Sequence, residues 1–403
     1  MKKQGKYLRQ KPKKQKARGA LRFICTLLAT AVCLALTVPA MVQMVMHVGS
    51  PQATKLEKQG DVQILQQLDT MLDTNIGRFF EGITNPGNNQ ESDIPPVKKV
   101  YWLKDEDLVA PEPDQAKFGE VDSPAELQWL LDEAAEILDG QEMYFSTETQ
   151  IMPGTTVRYY MDETIVALAW KEIHNYGVYS MSEVKVAHPS QFRRFLAGGE
   201  YGSEKQFITT EMAASVNAVV ASSGDFYRFR NEGIVVYEGQ VRRIKGNSVD
   251  TCMIDDQGNL HFVRKGEILD MDVAQQHVDE NNIRFSLAFG PILVDDGEIY
   301  PTSSYPIGEI NNHYSRAGLG QLGDLHYLLV AVNTENQYRT VPTMAEFAAT
   351  LHSMGCVKAY ALDGGQTAVV VMNDELVNRP DFGYQRQISD IIYFATAIPD
   401  GGE

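Results

Sequence analysis

The spacing of apolar residues divides the chain into a helical amino-terminal part and a β-rich remainder. Residues 23–48 form an uncharged, mostly apolar run, which is long enough to cross a bilayer as a helix. Apolar residues then recur at three- and four-residue steps over 62–79, which predicts an amphipathic helix. That pattern fits a dimerising stem and a helix packed on its own domain equally well. A linker rich in Asn, Pro and Gly follows over 82–99.

Two capping boxes predict the starts of further helices. Ser123 is followed by proline and then, at the third position, by glutamate, which is typical of a helix start. The helix that it begins is expected to end at Gly140. Thr343 and Glu346 repeat the pattern, and Gly355 marks the expected end of that second helix.

The pattern over 142–403 changes to short β segments with occasional helices. Residues 178–186 alternate in polarity as a half-buried strand does, and residues 233–241 predict two strands around a Glu-Gly turn. Continuous apolar runs predict buried strands at 287–294 and 327–332. Together these elements predict an α+β fold, in which a mixed β-sheet domain carries a few flanking helices.

The charge is unevenly distributed and bears on compartment. Residues 1–22 hold ten of the 36 Lys and Arg and none of the 53 Asp and Glu. A basic flank favours a cytoplasmic amino terminus, so 23–48 is interpreted as a transmembrane signal anchor with the remaining chain outside the cell membrane. A cleaved signal peptide is the alternative, although its apolar region is usually about 7–15 residues. Residues 49–99 are then a helical stem and linker, and residues 100–141 a helical lead-in to the domain.

The composition of the body excludes some partners and cofactors. Its strong acidity argues against nucleic-acid binding, which needs a basic surface. Cys25 and Cys33 lie in the apolar run, and the other two cysteines, Cys252 and Cys356, are expected to be buried free thiols. No zinc or EF-hand spacing is present, so no metal or other cofactor is predicted, although acids in a cleft also suit calcium or magnesium.

Two acids follow short apolar strands in matching settings. A helix from about residue 210 leads into the strand 218–222 and then to Asp225 beside a glycine; a second helix leads into the strand 358–362 and then to Asp363, also beside a glycine. Because this plan occurs twice, we expect both acids in one cleft, with carboxyl groups about 5–10 Å apart. Ordinary Asp-Gly turns are the alternative for either motif alone.

An ordered set of motifs resembles the phosphodiester glycosidase family over about 178–380. The motifs lie at residues 210–213, 224–227, 229–231, 316–321, 325–327, 343–346, 360–365 and 378–380. The resemblance implies an extracytoplasmic hydrolase that cleaves a sugar-1-phosphate diester in an envelope polysaccharide or related glycan. The alternative is a degenerate member that binds phosphorylated polysaccharide in exopolysaccharide or cell-wall assembly. Ser223 and Gln366 depart from the family pattern, which has Asn and Gly in those places.

The resemblance also implies roles for individual residues. Asp225 and Asp363 are the catalytic candidates: one attacks or stabilises the anomeric carbon, and the other directs water or orients the sugar. Arg230 and Arg316 are phosphate-binding candidates, because a guanidinium group matches two phosphate oxygens. A surface salt bridge is the alternative for each arginine.

Further candidates surround the second acid. Gly364 and Gly365 are expected to present backbone N–H groups to an anion, and Thr367 either donates its hydroxyl to phosphate or caps the turn. Glu211 and His326 are secondary candidates. Glu211 lies in the first turn of a predicted helix, where an acid complements the helix dipole, and His326 begins a strand, where a structural role is common.

Overall fold

The computed structural model describes the second of two units into which the chain divides, Met1–Leu56 and Glu57–Glu403. The described residues are 63–64, 101–105, 107–137, 142–175, 177–245, 247–305, 309–335 and 340–399. The predicted basic tail and membrane segment lie outside them, as does the stem apart from Gln63–Ile64, which form a short strand. None of the helices described here is long and apolar enough to cross a membrane.

The described part of the chain is dominated by strands. Its four α-helices are α1 (Pro124–Ile137), α2 (Thr209–Ser215), α3 (Met271–Glu280) and α4 (Met344–Ser353). Its strands are β1 (Gln63–Ile64), β2 (Tyr101–Trp102), β3 (Phe118–Val121), β4 (Val157–Asp162), β5 (Ile165–His174), β6 (Gly177–Val186), β7 (Phe192–Leu196), β8 (Val220–Ser223), β9 (Gly233–Tyr237), β10 (Gln240–Lys245), β11 (Thr251–Asp255), β12 (Leu260–Val263), β13 (Ile283–Leu287), β14 (Ile292–Asp295), β15 (Glu298–Ile299), β16 (Arg316–Gly323), β17 (His326–Asn333), β18 (Lys358–Leu362), β19 (Val370–Met372), β20 (Glu375–Leu376) and β21 (Asp390–Phe394).

Fourteen of the described strands form two large sheets. The larger has nine strands in the order β15-β14-β18-β16-β17-β6-β5-β4-β3, and the smaller has five in the order β20-β19-β8-β21-β7. Every pairing within these two sheets is antiparallel. The predicted α+β class is therefore confirmed, but the mixed strand direction is not observed. Short turns join many successive strands, whereas a parallel pair needs a long crossover connection.

The nine-stranded sheet carries a hydrophobic core on each face. On one face Trp170 and Leu328 pack in a cluster with Leu130 of α1 and Phe347 of α4. On the other face the sheet packs against the five-stranded sheet through a second buried cluster. The helices α1 and α4, the large sheet and the small sheet therefore form successive layers, and loops at the ends of strands in both sheets can meet where the sheets face each other.

Several local predictions are confirmed. The hydroxyl of Thr343 accepts from the backbone N–H of Glu346, whose carboxylate accepts from the backbone N–H of Thr343. Ser123 and its glutamate make the same reciprocal contacts at the start of α1. The hairpin of β9 and β10 turns at Glu238 and Gly239, with φ of 53° and 69°, as a two-residue Glu-Gly turn requires.

Two predictions on segment boundaries are wrong. The apolar run 287–294 is not one strand, because β13 ends before the pair Gly290-Pro291 and β14 begins after it. Proline cannot donate to a strand ladder, and Gly290 has a φ of 74°. The segment 100–141 is more than a helical lead-in, since β3 pairs with β4 at the edge of the large sheet and α1 contributes to its core.

Cys252 and Cys356 are free and buried, as predicted. Burial raises the pKa of both thiols, so neither is poised to react as a thiolate at neutral pH.

Candidate active site

The loops that carry the two predicted acids meet at the junction of the two large sheets. Asp363 follows β18 of the nine-stranded sheet, and its backbone N–H donates to the carbonyl oxygen of Gly224, which follows β8 of the five-stranded sheet (3.3 Å). The Ser223 hydroxyl donates to the Asp363 carbonyl oxygen (3.4 Å). Each loop follows a helix and a short buried strand, in agreement with the repeated local plan in the sequence.

Both carboxylate oxygens of Asp225 accept hydrogen bonds inside the protein. Its Oδ1 accepts from Arg194 Nη2 and from the backbone N–H of Tyr227 (2.8 Å each), and its Oδ2 accepts from the backbone N–H of Ala288 (2.6 Å). The Asp225 side chain has no exposed surface. This arrangement suits a residue that fixes the surrounding loops and leaves no free oxygen for a substrate.

Arg194 and Asp390 complete this buried network. Arg194 Nε and Nη2 donate to Asp390 Oδ2 (3.0 and 2.9 Å), which also accepts from the backbone N–H of Asp225 (3.1 Å). Burial raises the pKa of Asp390, although Arg194 opposes that shift. Burial alone would lower the pKa of Arg194, but Asp225 and Asp390 raise it. The three side chains form a charge network shielded from solvent, whose members depend on one another.

Asp363 is a second acid whose pKa burial raises. Burial raises its pKa from 3.8 to about 6, with a smaller contribution from the nearby charge of Asp225. The Thr367 hydroxyl and the positive charges of Arg386 and Arg230 act in the opposite direction. Its Oδ2 is buried and has no hydrogen-bond partner among the described residues. A carboxyl group with a pKa near neutrality and a free oxygen is suited to general acid–base work.

Two arginines stacked on aromatic rings accompany Asp363. The Arg386 guanidinium lies 5.6 Å from the ring centre of Phe226 and 6.0 Å from that of Phe229. Arg230 lies over Phe289 at 4.9 Å, and its Nε is 3.5 Å from a carboxylate oxygen of Glu232. Stacking holds a guanidinium plane in place and leaves its N–H edges available for an anion.

Unsatisfied polar groups therefore converge at this site. Arg230 Nη1 is buried without an acceptor, and Asp363 Oδ2 is buried without a donor. Arg386 has no ion-pair partner within the described ranges. Buried polar atoms are normally paired in folded proteins, so Arg230 Nη1 and Asp363 Oδ2 indicate a place where a ligand supplies the missing partners, and the exposed Arg386 adds a positive charge that acts on Asp363.

The turn after Asp363 is built differently from the expected anion nest. The backbone N–H of Gly365 donates to the carbonyl oxygen of Ser315 (2.8 Å), so it is not free for phosphate. The Thr367 hydroxyl lies 2.9 and 2.8 Å from the carbonyl oxygens of Asp363 and Gly364 and caps the turn. A Cβ at Gly364 would lie 2.5 Å from the Ser315 carbonyl oxygen. Close packing against Ser315 and Tyr314 accounts for both glycines, and the N–H group of Gly365 is not available to an anion.

Arg316 is placed as a structural residue. Its Nη2 donates to the carbonyl oxygens of Glu309 (2.7 Å) and Asn312 (2.8 Å), and its Nε lies 3.5 Å from that of Pro342. Burial lowers its pKa to about 10. The prediction that Arg316 binds phosphate is therefore corrected. Carbonyl groups of two loops accept from its guanidinium group, so Arg316 holds these loops together.

The two secondary candidates lie outside the cluster. His326 is buried and bonded to Glu183 Oε1 (2.6 Å), and it starts β17, whose other end pairs with Arg316. Six residues of strand, or roughly 20 Å, separate His326 from the residue of β17 that pairs with Arg316. His326 is therefore a structural histidine. Glu211 is exposed in the first turn of α2, and no described contact links its carboxylate to Asp363.

Sequence reasoning missed Arg194, Asp390 and Arg386. Arg194 lies within the apolar strand β7, and Asp390 begins the apolar strand β21. A charged residue inside an apolar run was the available signal, since such a residue is buried only when it is paired. Nothing in the local pattern around Arg386 marked it. In the described part of the chain no group of three or more His, Cys, Asp or Glu could hold a metal ion.

The fold and the site define a layered α+β protein with an acid and two arginines at the junction of two antiparallel sheets. Residues 216–395 match the family model described as phosphodiester glycosidase.

Individual relatives are distant. The SPbeta prophage-derived uncharacterized protein YomE of Bacillus subtilis (strain 168) is 22% identical over 198 residues, which are 48% of this chain and 30% of that protein. This chain thus spans less than a third of that relative.

Similar solved structures include a hypothetical protein from Synechocystis (TM-score 0.48, 14% identity, covering 60% of this chain and 64% of that one). Another is the zebrafish N-acetylglucosamine-1-phosphodiester α-N-acetylglucosaminidase catalytic domain, auto-inhibited by its pro-peptide (TM-score 0.45, 18% identity, covering 65% of this chain and 92% of that one).

Proposed function

We propose that this protein is a membrane-anchored hydrolase that cleaves a sugar-1-phosphate diester in an envelope polysaccharide or related glycan. The match to the family model supports phosphodiester glycosidase-like chemistry. The uncharged run 23–48 and its basic flank support a single-pass anchor with a cytoplasmic amino terminus and the domain outside. Pairing of two copies through the stem belongs to the same proposal and rests on the apolar spacing over 62–79.

One observation carries the proposal: Asp363 Oδ2 and Arg230 Nη1 are buried without partners, and the positive charges of Arg230 and Arg386 both act on the Asp363 carboxyl group. A phosphodiester bears one negative charge and several acceptor oxygens, which match two guanidinium groups. The sugar ring on the ester oxygen brings its anomeric carbon to the neighbouring carboxyl group.

The proposed reaction uses Asp363 as a base. Water attacks the anomeric carbon and passes a proton to the Asp363 carboxylate, while the bond from the anomeric carbon to the phosphate oxygen breaks. The electron pair leaves with the phosphate, whose charge Arg230 and Arg386 stabilise. A phosphate monoester is a good leaving group, so the step needs no strong acid opposite the base.

Asp225 has a positioning role in this proposal. Its contacts with Arg194 and with two backbone N–H groups fix the loop that ends at Arg230. The mechanism therefore differs from the two-carboxylate scheme expected from the sequence, because Asp363 has an unpaired carboxylate oxygen and Asp225 does not.

The alternative function is binding of phosphorylated polysaccharide without cleavage. Asp225 favours binding without cleavage, because both of its carboxylate oxygens already accept hydrogen bonds and a retaining glycosidase needs a second available carboxylate. Gln366 also favours it, since its side chain occupies a family glycine position and donates to the Tyr384 carbonyl oxygen (3.1 Å).

The test is incubation of the full-length protein with methyl phosphodiesters of N-acetylglucosamine, glucose and mannose, each linked through the anomeric oxygen. We expect release of one sugar by the wild type and loss of release in Asp363→Asn. The matched control is Asp296→Asn, because Asp296 is an exposed acid at a hairpin turn. Binding measured by calorimetry without release would establish the alternative, and neither binding nor release would contradict both functions.

A further inference from the structure

A short segment beside the candidate active site is held in place mainly by side chains. Residues 381–387 lie between the buried residues Pro380 and Ile388, and most of them are exposed. We call residues 381–387 the flap. Its turn Asp381–Gly383 contacts the turn Gly365–Thr367 of the site. The flap belongs to none of the described strands, so no strand ladder fixes its position.

Two glutamine side chains tie the flap to the neighbouring loops. Gln366 Nε2 donates to the Tyr384 carbonyl oxygen (3.1 Å). Gln385 Nε2 donates to the Thr210 hydroxyl (2.9 Å), and Gln385 Oε1 accepts from the backbone N–H of Thr210 (3.2 Å). A hydrogen bond between neutral groups changes an equilibrium constant by only about two- to tenfold. Loss of one such bond should therefore release the flap to a measurable extent.

The flap brings a cation to the site. The Arg386 guanidinium stacks over the rings of Phe226 and Phe229, at 5.6 and 6.0 Å from their centres. Burial raises the pKa of Asp363, and the positive charge of Arg386 is among the groups that oppose this shift. Arg386 follows Tyr384 by two residues, so a movement of the Tyr384 backbone also moves the cation.

One end of the flap is in an unfavourable conformation. Phe382 has a φ of 63° and a ψ of 0°, a left-handed region that a bulky residue rarely adopts. Its ring is 83% exposed, so burial of the side chain does not offset the strain. Asp381 Oδ1 is buried without a hydrogen-bond partner among the described residues. Strain is concentrated at ligand clamps and switch regions, which fits a segment that holds a ligand.

We propose that Gln366 is a positioning residue, which latches the flap through the Tyr384 carbonyl group so that Arg386 faces the phosphate of the substrate. The inference rests on the proposed function, in which Arg386 stabilises the charge of the leaving phosphate. Glycine, the residue of the family pattern at this position, has no side chain to make the bond. The latch is therefore supplied by a residue in which this chain departs from that pattern.

Trypsin digestion of the full-length protein measures the latch without turnover. Trypsin cleaves after arginine, and Arg386 is exposed on the flap. Gln366→Met removes the donor at similar length and should speed cleavage after Arg386 by about two- to tenfold. Gln150→Met is the matched control, because Gln150 Nε2 donates to the Glu148 carbonyl oxygen in another exposed loop. Cleavage after the exposed Arg264 is the internal reference for general unfolding.

A double-mutant cycle tests whether Gln366 acts through Arg386. Calorimetry in an Asp363→Asn background, which prevents turnover, measures the affinity for the methyl phosphodiester of N-acetylglucosamine. Gln366→Met should weaken binding by about two- to fivefold, and Arg386→Met by about tenfold or more. Combined with Arg386→Met, Gln366→Met should have no further effect.

The pH dependence of sugar release provides a readout that a merely structural role would not change. In the kcat/KM profile, Gln366→Met should raise the apparent pKa, because the positive charge of Arg386 is then held less firmly near Asp363. Gln150→Met should leave the profile unchanged.

Several outcomes would overturn the latch. Equal cleavage after Arg386 in Gln366→Met and wild type would do so, as would faster cleavage after both Arg386 and Arg264. Effects that multiply in the double variant, or an unchanged apparent pKa, would show that Gln366 does not act through Arg386. If the wild type neither binds nor cleaves the phosphodiester, the proposed function and the role of Arg386 fall, and the trypsin result alone decides whether Gln366 holds the flap.

Discussion

The backbone N–H of Asp363 donates a hydrogen bond to the carbonyl oxygen of Gly224, with 3.3 Å between nitrogen and oxygen. The bond joins a loop of the nine-stranded sheet to a loop of the five-stranded sheet. It places Asp363 directly beside the loop after β8, whose position is fixed by the buried network of Asp225, Arg194 and Asp390. The geometry of the site therefore depends on the packing of the two sheets and on that buried network.

Asp363→Asn should stabilise the fold at neutral pH. Folding raises the pKa of this acid from 3.8 to about 6, so the folded state retains a proton that the unfolded state loses between those values. The stability of the wild type accordingly falls as pH rises from about 4 to about 6, by up to about 3 kcal/mol. Urea unfolding of wild type and variant at pH 4 and pH 7.5 measures the difference.

The two proteins should be nearly equal at pH 4, and the variant should be more stable at pH 7.5. Asp296→Asn serves as the control, because Asp296 is exposed. A wild type that is the more stable protein at pH 7.5 would mean that the Asp363 carboxylate has a partner in the folded state.

Arg194→Met should destabilise the protein strongly. The substitution leaves Asp225 and Asp390 buried without their counter-charge, and loss of one member of a buried ion network costs about 3–5 kcal/mol. Urea unfolding at pH 7 measures the loss. The double variant with Asp390→Asn should recover part of it, because one unpaired buried charge is removed; a loss below about 1 kcal/mol in the single variant would contradict the network.

The elements that sequence predicts well are those fixed by neighbours in the chain. The Thr343 capping box, the Glu238-Gly239 turn and the strand before Asp363 each depend on a few adjacent residues. The prediction of one continuous strand over 287–294 was wrong, because one Gly-Pro pair interrupts the strand ladder although the residues on both sides are buried. Local hydrophobicity indicates burial there but not strand continuity.

The site itself depends on contacts that the sequence does not encode locally. Arg194 and Asp390 meet because β7 and β21 are adjacent in the small sheet, although almost 200 residues separate them in sequence. Asp225 and Arg316 were predicted as a catalytic and a phosphate-binding residue, but their functions depend on which oxygen and nitrogen atoms remain free. Only the three-dimensional packing distinguishes a committed carboxylate from the unpaired one of Asp363.

Gly365→Ala should be more destabilising than an ordinary substitution at a left-handed glycine. Gly365 has a φ of 66°, and an added Cβ would lie 2.8 Å from the Tyr314 hydroxyl. Gly355 has a φ of 84°, and a Cβ added there would meet no atom within 4 Å, so Gly355→Ala is the matched control. We expect about 1 kcal/mol for the control and about 1–2 kcal/mol more for Gly365→Ala in urea unfolding. Equal losses would show that Tyr314 moves away without cost.

Arg316→Lys should lower stability without a specific loss of phosphate binding. A lysine cannot donate to three separated carbonyl groups as the planar guanidinium does. We expect the free energy of unfolding, measured with urea, to fall by about 1–3 kcal/mol. The affinity for the methyl phosphodiester of N-acetylglucosamine should stay unchanged within about twofold. Unchanged stability together with a tenfold weaker affinity would restore Arg316 as a phosphate ligand.

The pH dependence of sugar release tests the central claim most directly. If the Asp363 carboxylate is the base, kcat/KM for the methyl phosphodiester of N-acetylglucosamine should rise with pH through an apparent pKa near 6. The reason is that the Asp363 carboxyl group of the free enzyme must lose its proton before the reaction. Asp363→Asn should reduce kcat/KM by at least about a hundredfold and abolish that rise. Sugar release by the variant at the wild-type rate, with the same pH profile, would contradict the account.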